Sequence, residues 1–254
     1  MNIDKKYYQE INENLTNTIQ DTNIDAPNKK TGKVRDAYFL DDKVVMISTD
    51  RQSAFDRVLA AIPYKGAVLN SVSAWWFKQT EHLFPNHLIS TPDPNVSIVE
   101  KCTVFPVEFV VRGYITGTTD TSLWTVYNKG DREYCGNALP EGLKKNDKLT
   151  TPMLTPTTKD KVHDRPVSRE EIIDLGLMSA EDYDVAAKMS LDLFSFGQET
   201  AKKNGLILVD TKYEIGTDSS GKIKFVDEIH TPDSSRFWIS SSYKERIAAG
   251  QEPE

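Results

Sequence analysis

Apolar residues recur every fourth position at Tyr7, Ile11, Leu15 and Ile19, a spacing that predicts a short amphipathic packing helix over residues 7–20. After a polar stretch at 21–31, the runs Tyr38 to Leu40 and Val44 to Ser48, joined by Asp41-Asp42, read as a β-hairpin. A second helix is expected at 71–83, started by Asn70 or Ser71, with Val72, Trp75, Trp76, Gln79 and Leu83 on one face. Val104 to Val111 is interrupted only by Pro106 and Glu108 and predicts a buried strand that feeds the segment Arg112 to Thr119. From Leu139 to Ser168 the chain turns rich in Pro, Thr, Lys and Asp, a long connection that either carries function or moves. Ser168 with Glu171 and Ser179 with Asp182 mark two helix starts, and Gly176 and Gly205 mark two stops. A helix over about 180–204 then delivers a strand at Leu206 to Ile215, and Ile247 to Glu254 reads as a helix fragment. Strands and helices mixed in this order define an α+β chain.

Composition narrows the classes. With 254 residues, 38% hydrophobic and 27% charged, the chain can bury one large core or two joined lobes. Its 31 Lys+Arg against 38 Asp+Glu leave a net charge of −7, which argues against nucleic acid or a membrane surface as the main partner. Small anionic ligands on local basic clusters remain open. Cys102 and Cys135 have no metal-like spacing and form no disulfide framework, so a cytoplasmic protein is expected; no stretch reads as a leader or a membrane span. The four histidines lack zinc spacing and there is no G-x-S-x-G.

Chemistry concentrates near the end. Period-two alternation puts Asp210, Lys212 and Glu214 on one face of a strand. On the next strand Asp227 shares a face with Ile223, Phe225 and Ile229, a costly position unless a cation meets the carboxylate. Mg²⁺ held by Glu214 and Asp227 would offset that cost; a solvated hairpin with Lys–Glu pairs across its strands is the alternative. A register slip of one residue would bring in Glu228 instead. Thr31 to Asp36, with Gly32, Lys33, Val34 and Arg35, either folds its amides and cations around phosphates or is an ordinary turn. Arg236, and Arg112 near Gly113, Gly117 and Thr118, suit a substrate phosphate or carboxylate. His163 and Asp164 follow Lys159 and Lys161 in the long connection.

Five ordered motifs close the reading: Gly32 to Asp36, Ser48 to Arg51 with Ser53 to Asp56, Val110 to Gly117, Asp210 to Gly216, and Asp227-Glu228 through Ser235 to Trp238. Together they resemble the phosphoribosylaminoimidazole-succinocarboxamide synthase (SAICAR synthetase) family. That resemblance implies an ATP-dependent, ADP-forming carbon–nitrogen ligase of purine biosynthesis. Its substrates would be ATP, 5-amino-1-(5-phosphoribosyl)imidazole-4-carboxylate and L-aspartate, with ATP and Mg²⁺ as the cofactors. It also implies a two-lobed fold, with a smaller β-rich lobe over 1–107, an α+β lobe over 108–254 and ATP between them. Gly32, Lys33, Val34 and Arg35 would cover the phosphates, Glu108 would sit at the adenine hinge, and Glu214 and Asp227 would hold Mg²⁺. Asp210, Lys212 and Arg236 would be catalytic and, with Arg112, Thr118, Lys159 and Asp164, would bind the imidazole nucleotide. Asp233 would orient Arg236 or meet the ribose, and the aspartate contacts are expected in the run from Asp50 to Ser53 and the loop up to Asp56. The resemblance is to the monofunctional form, and this sequence stops at Glu254 where long-form members continue with a further helical stretch. A homo-oligomer stays open. Two other readings are a small-molecule kinase, which releases ADP without aspartate, and a nucleotide-binding module, which binds ATP and makes no product.

Overall fold

The computed structural model describes residues 5–54, 57–159 and 165–254. The chain divides into two compact units, 1–78 with 87–101, and 79–86 with 102–254.

The first unit opens with α1 (Lys5–Glu13), which is shorter than its apolar stripe predicts. Asn14 and Asn17 follow, and their amides bond Glu10 O and Asn14 Oδ1, competing with continuation of the helix. Tyr7, Ile11, Leu15 and Ile19, expected to pack, are all exposed. β1 (Lys29–Thr31), β2 (Arg35–Phe39) and β3 (Lys43–Ser48) form two successive hairpins, the second of them as predicted. A smaller hairpin, β4 (Arg51–Ala54) with β5 (Arg57–Ala61), leads to α2 (Lys65–Thr80). β6 (Leu88–Asp93) and β7 (Val96–Glu100) complete a five-stranded antiparallel sheet of order β1-β2-β3-β7-β6.

The helix α2 starts six residues before the predicted Ser71 because its cap comes from far along the chain. The Asp50 carboxylate accepts the Gly66 N–H at 2.9 Å, satisfying an orphan donor of the first turn. Asn70, read as a cap, is buried inside the helix and ties it to β7 through Ser97 Oγ at 2.7 Å. The buried face is Leu69, Ser73, Trp76, Phe77 and Thr80, while Trp75 stays half-exposed and meets Trp76 edge-on at 4.9 Å.

The second unit is organised by β8 (Thr103–Tyr114), followed by α3 (Leu123–Asn128) and the short pair β9 (Glu133–Tyr134) and β10 (Asn137–Ala138). The connection at 139–168 is not structureless: β11 (Lys148–Leu154) and β12 (Thr157–Thr158) both pair with β8. α4 (Arg169–Asp174) begins with the predicted reciprocal cap between Ser168 and Glu171, and α5 (Ala180–Lys203) begins at Ser179. Gly176 and Gly205, each just past a helix, sit at φ 68° and 74°, where glycine stops a helix without strain. β13 (Leu206–Thr217) lies beside β8 and carries β14 (Ile223–Val226) and β15 (Ser235–Ile239) on its far edge, before α6 (Ser240–Ala248). The last residues are not helical: Glu252 pairs with Lys145, and Glu254 O accepts the Ile239 N–H.

Alternation along β8 and β13 separates two faces. Val107, Phe109 and Val111 with Tyr213 and Ile215 are fully buried, and Tyr183 of α5 lies 5.7 Å from the Phe109 ring. Burial of this apolar face is the main favourable term holding the unit together, at roughly 25 cal/mol per Å² removed from water. The other face carries the charged residues described below. Among the described residues, no helix is long and apolar enough to cross a membrane.

One member of this interior titrates. His230 is fully buried against the Tyr213 hydroxyl, and burial pulls its pKa down to about 3 from 6.5. The unfolded chain therefore takes up this proton first as pH falls. Stability is intact above about pH 6.5 and is lost across the window from 6.5 toward 3, at up to about 1.4 kcal/mol per pH unit. His230→Asn should flatten that slope: the wild-type advantage over the variant, read from urea midpoints, should shrink by about 2 kcal/mol between pH 7 and 5. An advantage independent of pH would mean that His230 folds already protonated.

Candidate active site

The charged face follows from register. Asp210 pairs with Arg112, Lys212 with Val110, and Glu214 with Glu108, so the polar members of β8 and β13 line one side of the sheet. β15 adds Arg236 opposite Asp210, and β12 adds Thr157 opposite Glu108. This placement confirms the parity expected for Asp210, Lys212 and Glu214.

Two clusters result. In the first, the Asp210 carboxylate lies between two guanidinium groups, 3.2 Å from Arg236 and 3.7 Å from Arg112, and Arg112 Nε donates to Thr155 Oγ1 at 2.9 Å. Burial raises the Asp210 pKa, and the two arginines only partly counter it. Its Oδ2 atom is sealed from solvent and accepts no hydrogen bond. A buried acceptor left in this state is costly, and a ligand donor would relieve it. In the second cluster, Lys212 Nζ bonds Glu108 at 2.8 Å and Glu214 at 3.3 Å, while Lys159 takes the other Glu214 oxygen. Burial pulls the Lys212 ammonium toward neutrality, but Glu214, Glu108 and Asp227 outweigh it and hold its pKa above the ordinary lysine value. Glu108, expected beside adenine, thus points its carboxylate into this charged row.

Asp227 departs from the predicted strand face. β14 ends at Val226, and Asp227 sits at φ 60°, so parity carried past that point does not hold. Glu228, the rival ligand, is buried and accepts from Thr231 Oγ1 at 2.7 Å. Asp233 is exposed in the turn where its N–H meets Thr231 Oγ1, and Asp210 pairs with Arg236. Thr118 is exposed just after Gly117, and Asp164 lies outside the described residues. Glu214 and Asp227 supply hard oxygen donors of the kind Mg²⁺ takes from proteins when phosphates complete its shell, so the residues present fit that ion.

In the first unit, Gly32 to Arg35 close a tight turn in which Gly32 N–H meets Arg35 O at 2.7 Å. A Cβ on Gly32 would stand 2.9 Å from that oxygen, so the turn requires glycine. Asp50 is a structural carboxylate: its oxygens accept the Ile19 N–H at 2.8 Å and the Gly66 N–H at 2.9 Å. It borders a polar hollow of about 730 Å³ whose lining includes Asn14, Gln20 and Asn95 and no lysine or arginine. Among the described residues, that lining offers a dicarboxylate no cation. Ser53 is half-buried on β4. Sequence reasoning passed over Thr155 and Thr157, which have no local signal. Cys135 is no nucleophile candidate, because burial pushes its thiol up to about 12.

An α+β chain whose sheet presents fixed arginines, lysines and carboxylates on one face is built as an enzyme for small polyanions. The profile of the family described as SAICAR synthetase matches residues 28–254, and the chain belongs to that family. It is 59% identical over 236 residues to phosphoribosylaminoimidazole-succinocarboxamide synthase of Legionella pneumophila (strain Lens), covering 93% of this chain and 76% of the relative. A chloroplastic enzyme of the same name from Vigna aconitifolia is 56% identical over 245 residues, covering 94% and 72%. Among solved structures, SAICAR synthase from Saccharomyces cerevisiae complexed with SAICAR superposes with a TM-score of 0.78 at 34% identity, covering 89% of this chain and 81% of that one. A type-2 SAICAR synthetase in complex with ADP gives 0.71 at 27% identity, covering 88% and 92%.

Proposed function

We propose that the charged face of β8, β13 and β15 carries out the SAICAR synthetase reaction in this chain. The reaction is the ATP-dependent condensation of 5-amino-1-(5-phosphoribosyl)imidazole-4-carboxylate with L-aspartate, giving the succinocarboxamide, ADP and phosphate. The observation that carries the assignment of the site is the buried Asp210 carboxylate between Arg112 and Arg236, with Lys212 two residues along the same strand. The yeast relative bound to SAICAR and the relative bound to ADP support both ligands.

A carboxylate resists attack by an amine, so the carboxylate oxygen first takes the γ-phosphoryl group as the bond to ADP breaks. The aspartate nitrogen then attacks the acyl carbon, loses a proton, and phosphate leaves. Arg112 and Arg236 hold the anionic nucleotide, and Asp210 accepts its N–H or O–H donor. Lys212 stays charged and, with Lys159, neutralises the oxygens on which charge develops, which is where most of the rate enhancement of a phosphoryl transfer arises. Bound Mg²⁺, held by Glu214 and Asp227, would supply charge neutralisation at the ATP phosphates. Gly32, Lys33, Val34 and Arg35 cover those phosphates, and Ser53 serves the aspartate. No protein nucleophile takes part.

The test is incubation of purified protein with Mg-ATP and the imidazole nucleotide, with and without aspartate. ADP and succinocarboxamide should form together and only when aspartate is present. ADP released at the same rate without aspartate, or ATP bound without product, would reject this reading in favour of a kinase or a binding module.

A further inference from the structure

The Gly32 to Arg35 turn is held by a buried group that the reaction as described does not use. Asp36 is completely buried, and its carboxylate accepts from Thr22 N–H at 3.1 Å, Thr22 Oγ1 at 2.7 Å and Arg51 at 2.7 Å, with Lys29 Nζ at 3.1 Å. The Asp36 side chain is held ionised: burial raises its pKa, but Arg51, Thr22 and Lys29 together bring it below the ordinary carboxylate value. The Arg51 guanidinium, itself buried, continues from Asp36 to three main-chain carbonyls: Gln20 at 2.5 Å, Gly32 at 2.9 Å and Lys33 at 3.3 Å. Thr49 takes the next one, with its N–H 2.9 Å and its Oγ1 2.6 Å from Val34 O. Three consecutive carbonyls, of Gly32, Lys33 and Val34, are thus drawn to one side of the turn.

In a trans peptide the N–H points opposite to the C=O it is joined to. Drawing those three carbonyls toward Arg51 and Thr49 turns the amides of Lys33, Val34 and Arg35 to the other side. Successive amides on one side of a turn form the concavity that binds anionic oxygens. A buried ion pair is weak support for stability in its own right, whereas one planar guanidinium that reaches a carboxylate and three carbonyls fixes a geometry that a lysine ammonium, with three donors, cannot reproduce.

We propose that Arg51, oriented by Asp36, is the positioning residue that aims the amides of the phosphate-covering turn, and that Thr49 completes the arrangement. This rests on the reading that the turn takes the phosphates of ATP. The test measures dissociation constants for ADP and for adenosine, which lacks phosphates, in the wild type, Arg51→Lys and Thr49→Val, with thermal melts of each. Wild-type protein should prefer ADP strongly. In Arg51→Lys the ADP affinity should fall by about tenfold or more while adenosine affinity stays within about twofold, so the preference collapses. Thr49→Val, which keeps volume and removes one hydroxyl bond, should lower the preference by a few-fold and keeps the test decisive if Arg51→Lys does not fold. A wild-type preference that both folded variants retain in full overturns the role of Arg51 and Thr49 and leaves the phosphate reading standing. A wild type without preference for ADP overturns the phosphate reading and this inference with it.

Discussion

Lys212→Met is expected to lower kcat by about a thousandfold, the size of effect seen when a single preorganised electrostatic group is removed from an active site. Methionine keeps the length and the apolar stem and discards only the charge. That charge sits 2.8 Å from Glu108 and 3.3 Å from Glu214, and the three carboxylates around it hold its pKa above the ordinary lysine value despite burial. Its protonation is therefore not in question at neutral pH, and its loss removes the cation between Glu108 and Glu214, directly paired across β8 and β13, leaving Lys159 on Glu214 alone. A group that neutralises charge arising only during phosphoryl transfer should show its loss in kcat more than in KM for the imidazole nucleotide. Lys212→Arg restores charge in a different shape, so recovery by arginine would assign the effect to charge and continued failure would assign it to the position of a compact ammonium. A loss of tenfold or less, or one confined to KM, would remove Lys212 from the chemistry.

The strand face that makes this prediction possible was legible because alternation is a local property. Asp210, Lys212 and Glu214 share a side for any strand through 206–217, whatever that strand pairs with. The partners were not legible. Glu108 meets Lys212 only because β8 and β13, about a hundred residues apart, pair in one register, and no local feature of either segment specifies it. The same limit explains α2, whose start is set by the distant Asp50 carboxylate. It also explains 139–168, where Pro152 and a row of threonines read as a connection: β11 is an edge strand, and an edge tolerates a proline that a central strand would reject. Capping, by contrast, is decided within four residues, and Ser168, Ser179, Gly176 and Gly205 were placed correctly.

Asp227 shows where local reasoning fails even over one residue, and it is also the sharper of the two carboxylates to test. Parity carried it onto an apolar strand face; the chain instead leaves the strand after Val226 and turns through φ 60°. Aspartate and asparagine both tolerate that left-handed conformation, so Asp227→Asn changes charge without straining the backbone, whereas alanine would confound the two. Glu214→Gln is less clean, because Glu214 also binds Lys212 and Lys159 and its neutralisation weakens the hold on both ammonium groups. Both changes should reduce turnover by about a hundredfold or more and shift the Mg²⁺ concentration for half-maximal rate upward, since a neutral amide is a poor partner for a hard dication. Glu214→Gln should also melt lower than the wild type because it breaks a partly buried network. A Mg²⁺ dependence for Asp227→Asn that overlays the wild-type curve would take Asp227 out of the ligand set and leave Glu214 as the metal carboxylate of β13.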